Sequence, residues 1–191
     1  KSKKKVDYEF FNKEFKIINI GRLTDQKDQI TLLKSINFLK YKIKIKLLIL
    51  GSGIEQSNLD NYIRENNLGN LVKIKNFIDN PYPYILKSDL FILSSKYEGL
   101  PNVLLEAAVL KKFIISTNCP TGPKEILLNG KGGYLFNIGD HKKLSKLILS
   151  FLKNRNQLKD KINYTYKNLD RYDLKRNLMK YYMLLLPFLR S

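Results

Sequence analysis

Short apolar runs recur along the chain at 17–20, 43–50, 71–74, 90–93 and 113–116, each four to eight residues long and rich in Ile, Leu or Phe. Gly, Asn or Pro flanks them, which is the punctuation of buried strands. Between the runs, apolar positions switch to helical spacing. Leu32, Leu33, Ile36 and Leu39 form one stripe, Leu59, Ile63 and Leu68 a second, and Val103, Leu104, Ala107 and Leu110 a third. Strand and helix alternate five times between residues 16 and 120. That alternation predicts an α/β fold, doubly wound and Rossmann-like, around a parallel sheet with right-handed crossovers.

Beyond residue 120 the pattern loosens. A Gly/Pro-rich loop at 119–123 leads to a short helix at 124–128, a turn at 129–133 and a brief sixth strand at 134–136. Leu144, Leu147, Ile148, Phe151 and Leu152 then predict an amphipathic helix. Leu174, Leu178, Tyr182 and Leu185 predict another, ending in the run 183–189, which is more apolar than a solvent-facing helix should be. The chain therefore divides into a flanking segment at 1–15, a main domain at 16–170 and a terminal helical segment at 171–191.

Composition narrows the class. With 191 residues and 43% hydrophobic content, the chain can bury a proper core and is not intrinsically disordered. The single Cys119 excludes a disulfide scaffold. A spanning helix needs about 20 predominantly apolar residues, and the run 183–189 is short and contains Pro187. The opening Lys1-Ser2-Lys3-Lys4-Lys5 precedes acidic and aromatic residues rather than a signal-peptide core. A cytoplasmic protein is expected. Lys and Arg outnumber Asp and Glu by 35 to 17, a net charge of +18. Six of the 35 are Arg, and 19 Asn accompany the lysines, which fits the coding bias of an AT-rich genome. Attraction to an anionic membrane face or a phosphorylated substrate is the functional reading of the same charge. No helix-turn-helix, zinc-finger or RNA-binding signature supports a nucleic-acid partner, and no His/Cys/carboxylate cluster has metal-ligand spacing.

In an open parallel sheet, ligands bind beyond the carboxyl ends of the strands, and the unusual residues gather there. The first strand ends in Gly21-Arg22-Leu23-Thr24-Asp25-Gln26-Lys27. Gly21 permits a tight turn, and Arg22 and Lys27 put two cations where helix starts could help hold a diphosphate. The second strand ends in Gly51-Ser52-Gly53, but Gln56 replaces the third glycine of a dinucleotide fingerprint. It reads as a tight turn near a ligand. The fourth strand leads into Ser94-Ser95-Lys96-Tyr97-Glu98-Gly99-Leu100-Pro101-Asn102-Val103-Leu104-Leu105-Glu106. Pro101 suits a first helical position, while Gly99 and Leu100 offer no capping oxygen, so free amides are expected at the helix start. Glu98 sits just before that start. Glu106 lies among apolar neighbours, where an unpaired carboxylate is costly. Carboxylates beside a phosphate site make sense if they accept hydrogen bonds from sugar and ribose hydroxyls.

The segment from Tyr97 to Glu106 resembles the Glu-x7-Glu motif of the retaining group 1 glycosyltransferases (family 4, GT-B fold). Gly21-Arg22-Leu-Thr-Asp-Gln-Lys27 is similar to the same family's phosphate-binding segment, and Asn118-Cys-Pro-Thr-Gly-Pro-Lys-Glu125 with Gly133-Tyr-Leu-Phe to its later signature. The resemblance implies a nucleotide-sugar donor, UDP-linked in preference to GDP-linked, and a glycan or lipid-linked acceptor in bacterial surface-polysaccharide biosynthesis. By it, Arg22 and Lys27 neutralise the leaving diphosphate, Glu98 binds donor-sugar hydroxyls and Glu106 ribose hydroxyls. Backbone N–H groups at Asn102, Val103 and Leu104, near Gly99, Gly21 and Gly51, grip phosphate, and Asn76, Phe77 and Ile78 contact the base. Transfer with retention and without a metal or other cofactor is implied. An acceptor domain would precede the donor domain in the family, so residues 1–15 would be the interdomain connector and 171–191 the helix that crosses back. The chain alone would then be inactive, and attachment to the inner membrane peripheral. The residues leave three other readings open: a non-catalytic nucleotide-sugar-binding module, a basic nucleic-acid-binding Rossmann-like protein, and an epimerase of the same architecture.

Overall fold

The computed structural model describes residues 14–189, the side chains of 187–189 excepted. Most of the expected connector therefore lies outside the described residues. Six strands, β1 (Phe15–Ile20), β2 (Ile45–Leu50), β3 (Val72–Lys75), β4 (Leu90–Leu93), β5 (Phe113–Thr117) and β6 (Tyr134–Phe136), form one sheet in the order β3-β2-β1-β4-β5-β6. Every pairing is parallel. Eight α-helices connect and follow them: α1 (Gln29–Leu39), α2 (Gln56–Glu65), α3 (Tyr82–Lys87), α4 (Asn102–Val109), α5 (Pro123–Ile126), α6 (His141–Asn154), α7 (Lys159–Lys167) and α8 (Leu174–Leu189).

Both faces of the sheet are buried, because successive strand residues point to opposite sides. Ile17, Leu47, Ile49, Leu90, Ile92, Phe113 and Ile115 pack with α1, α2 and α6 in one layer. Their neighbours Ile18, Leu48, Leu50, Phe91, Leu93 and Ile114 pack with α3, α4 and α5 in the other. This is why the strand runs read as nearly continuous apolar stretches rather than alternating ones. The segment after α6 closes one end. Leu158 and Ile162 join the first cluster, while Leu169 and Tyr172 join the second.

Two helices depart from the hydrophobic pattern. The Asn-Pro-Tyr-Pro start of α3 reads as a loop, yet Pro81 precedes the helix and Pro83 falls in its first turn, where no backbone donor is needed. In α7, Thr165 is the buried residue, so no apolar stripe announces it. The terminal helix is where expected, and it starts on the Asp173 carboxylate, which accepts from the Arg176 N–H at 2.8 Å. Its stripe is bare: Leu174, Leu178, Tyr182 and Leu185 are exposed. Among the described residues no helix is long and apolar enough to cross a membrane.

Candidate functional site

The chain runs outward from β1 to β2 and β3, then returns across β1 to build β4, β5 and β6. The direction of winding reverses between β1 and β4, and there the loops leaving the two strands splay apart into a crevice. The buried Asn19 ties the two strands, its Nδ2 donating to the Ile92 carbonyl at 2.8 Å. The loops that line the crevice are 21–28 and 94–101, which carry two of the three sequence motifs.

Lys27 is placed by backbone geometry. Residues Asp25–Lys27 make a single 3-10 turn, closed when Asp28 adopts a left-handed conformation (φ 46°) and starts α1. The Thr31 hydroxyl donates to the Asp28 carboxylate at 2.7 Å, while burial pushes that carboxyl above its ordinary pKa. The turn is then stitched to the loop after β4. The Ser94 hydroxyl donates to the Lys27 carbonyl at 2.9 Å, the Lys96 N–H to the Gln26 carbonyl at 2.8 Å, and the Gln26 amide to the Tyr97 carbonyl at 3.0 Å. Lys96 also pairs with Asp25.

This stitching brings Lys27 and Glu98 together. Lys27 Nζ lies 2.6 Å from Glu98 Oε1, and the two side chains are 15% and 6% exposed. Such a charge-assisted contact, shielded from water, is unlike a screened surface pair. The same Oε1 accepts from the Ser95 hydroxyl at 2.6 Å. Gly21 packs against the Lys27 stem, since a Cβ there would sit 3.4 Å from Lys27 Cδ. Arg22 is exposed, and its guanidinium makes no hydrogen bond or ion pair among the described residues.

The start of α4 completes the crevice. Asn102 is its first residue, so Pro101 occupies the cap (φ −73°, ψ 96°) rather than the first helical position. No side chain caps the helix. The Leu104 N–H donates to the Pro101 carbonyl at 2.9 Å, so of the three amides expected to be free, those of Asn102 and Val103 remain. Unbonded amides at a helix start attract anions. Glu106, one turn further in, is half-buried without a partner, and burial holds its carboxyl above the usual range.

The other positions flank this centre. Gly51 and Gly53 have a packing reason: a Cβ at Gly51 would lie 1.9 Å from the Gly21 carbonyl oxygen. The loops after β1 and β2 are laced together, with Leu23 N–H to Ser52 carbonyl at 2.9 Å and Glu55 N–H to Leu23 carbonyl at 3.0 Å. Asn76, Phe77 and Ile78 follow β3 on the same edge, and Phe77 is 74% exposed. Cys119 is buried, and burial pushes its thiol up, which disfavours the reactive thiolate. Glu125 is exposed and accepts from the Tyr172 hydroxyl at 3.0 Å.

Sequence reasoning missed Ser95, Thr117 and Thr121. The Thr117 hydroxyl donates to the Ser95 carbonyl at 2.6 Å, and the Thr121 hydroxyl to the Glu98 carbonyl. The fully buried Ser94 and Ser95 at the end of an apolar strand carried a usable signal, because buried hydroxyls need partners. Thr121 had no such signal, since its partner comes from another loop.

Comparison with known proteins bears on the family and the fold. The family model of glycosyl transferases group 1 matches residues 1–168. An uncharacterized glycosyltransferase of Methanocaldococcus jannaschii is 43% identical over 118 residues, 61% of this chain and 29% of that protein. The Campylobacter jejuni N-acetylgalactosamine-N,N'-diacetylbacillosaminyl-diphospho-undecaprenol 4-alpha-N-acetylgalactosaminyltransferase is 28% identical over 168 residues, 86% of this chain and 46% of that enzyme. The chain thus spans less than half the length of either relative. Anabaena HepE, crystallised with UDP, shares the fold with a TM-score of 0.83 at 19% identity, over 91% of this chain and 49% of its own. With the family match running through all three motifs and the reversal of the sheet lying where two of them meet, the chain belongs to the group 1 glycosyl transferases.

Proposed function

We propose that this chain is the donor-binding half of a retaining glycosyltransferase that moves a sugar from a UDP-linked donor to a glycan or lipid-linked acceptor in surface-polysaccharide assembly. The observation that supports it most is the convergence of Lys27, Glu98 and the unbonded amides of Asn102 and Val103 at the β1/β4 reversal. The name of the Campylobacter relative, which includes a diphospho-undecaprenol acceptor, and the UDP in the Anabaena structure favour the same chemistry.

Breaking the bond between the anomeric carbon and the diphosphate leaves negative charge on the departing phosphate. Arg22, Lys27 and the α4 amides stabilise that charge as it develops, once donor binding has drawn Lys27 from Glu98 to the phosphate. The three together neutralise the diphosphate without a metal. Glu98 accepts hydrogen bonds from donor-sugar hydroxyls, and Glu106 from the ribose. Phe77, with Asn76 and Ile78, meets the base. Lys27 keeps a counter-charge throughout, exchanging Glu98 for phosphate. The acceptor is held by a further domain, against which the exposed stripe of α8 packs, and the basic surface favours the anionic face of the membrane.

Calorimetric titration of the chain with UDP- and GDP-sugars tests this reading. Lys27→Ala and Glu106→Ala each remove contacts to a charged group, which are worth about 1.5–3 kcal/mol. Donor affinity should fall about tenfold to a hundredfold in each. Binding that survives both substitutions undiminished refutes the site.

A further inference from the structure

We infer that Ser95 is a positioning residue that keeps Glu98 aimed at the donor sugar when the diphosphate draws Lys27 away. The inference rests on the donor-binding reading and adds to it a residue that binds no ligand itself. Glu98 Oε1 carries two partners, Lys27 Nζ and Ser95 Oγ, each at 2.6 Å. Oε2 accepts no hydrogen bond among the described residues, and it is the oxygen left for a sugar hydroxyl. When Lys27 turns to phosphate, Oε1 retains Ser95.

Ser95 suits that task because its surroundings hold it in place. It is fully buried, and its carbonyl accepts from Thr117. The Glu98 main chain is held from the opposite side. Thr121, a β-branched residue at φ 62°, donates to the Glu98 carbonyl. A β-branched residue is strained in the left-handed region, and such strain persists where the surrounding contacts enforce it. Side chain and backbone of Glu98 are thus fixed by two hydroxyls from different loops.

The experiment measures the ratio of affinities for a UDP-sugar and for UDP itself, using UDP-glucose, UDP-galactose and their N-acetylhexosamine counterparts. In Ser95→Ala the ratio for the preferred sugar should collapse by about tenfold, with UDP affinity changed less than about twofold. Ser95→Thr, which keeps a hydroxyl, should restore it. Thr121→Val, on an exposed loop, should lower the ratio in the same sense and serves if Ser95→Ala does not fold. An unchanged ratio in Ser95→Ala, or a parallel loss of UDP and UDP-sugar in the folded variants, overturns the positioning role. So does a wild-type chain that binds UDP but prefers none of the sugars. Failure of wild-type to bind UDP at all overturns the donor-binding reading, and the positioning role with it.

Discussion

Gly122 and Gly99 face each other across the crevice wall, and the same substitution should be costly in one and nearly neutral in the other. Gly122 has φ 61° and ψ −82°, and a Cβ on it would lie 2.2 Å from the Gly99 carbonyl oxygen and 2.6 Å from Pro101 Cδ. Non-bonded atoms are comfortable at roughly 3.5 Å, so the loops would have to part by about 1 Å. The strained backbone costs an alanine about 1–2 kcal/mol. Forcing the loops apart adds about 1–3 kcal/mol. A net loss near 3 kcal/mol is a large share of the roughly 5–15 kcal/mol that stabilises a domain. At about 2–4 °C per kcal/mol, Tm should drop by roughly 10 °C. At Gly99 a Cβ meets nothing within 4 Å and φ is not positive, so Gly99→Ala should leave Tm within about 2 °C. Thermal unfolding followed by circular dichroism compares the two. The reasoning fails if Gly122→Ala melts like wild-type, or if Gly99→Ala melts as low as Gly122→Ala.

Glu106 should confer a pH dependence on donor binding. Burial raises its carboxyl pKa, while hydroxyls donating to the carboxylate would favour the charged form, so affinity should strengthen as pH rises through the raised value and a proton should be released. Titration with a UDP-sugar, whose diphosphate is esterified at both ends and carries no weakly acidic hydroxyl, should show this in wild-type and not in Glu106→Gln. Phe113→Ala should cost about 3–5 kcal/mol by denaturant unfolding, since the ring is buried between Tyr134 and Phe151 at centroid distances of 4.9 and 5.0 Å. Asp140→Ala should cost about 1 kcal/mol in the same assay, because Asp140 caps α6 by accepting from the Lys143 N–H at 2.8 Å.

What the sequence disclosed follows from how each signal is written. The five main strands are legible because burial on both faces leaves no room for polar residues in runs such as Leu90–Leu93. Helices with a stripe, α1 and α6, are legible for the same reason. Helix α3 was hidden because proline is a breaker everywhere except the first turn, and α7 because its one fully buried side chain is a threonine. At the site, Arg22, Lys27, Glu98 and the uncapped α4 stood out as charges and missing caps at strand ends. Their pairing did not. That Lys27 meets Glu98 depends on which strand neighbours β1, and that Thr121 reaches Glu98 depends on which strand neighbours β4; sequence spacing encodes neither, whereas Ser95 sits only three residues before Glu98.

The lacing of the loop after β2 to the loop after β1 bears on how such a domain can diversify. A backbone that approaches another within the width of a glycine tolerates neither an added side chain nor an inserted residue at 51–53 without dislodging 21–23. Under the proposed donor-binding reading, altered sugar preference should arise by exchanging side chains along the rim, and libraries aimed at new sugars should leave these glycines untouched.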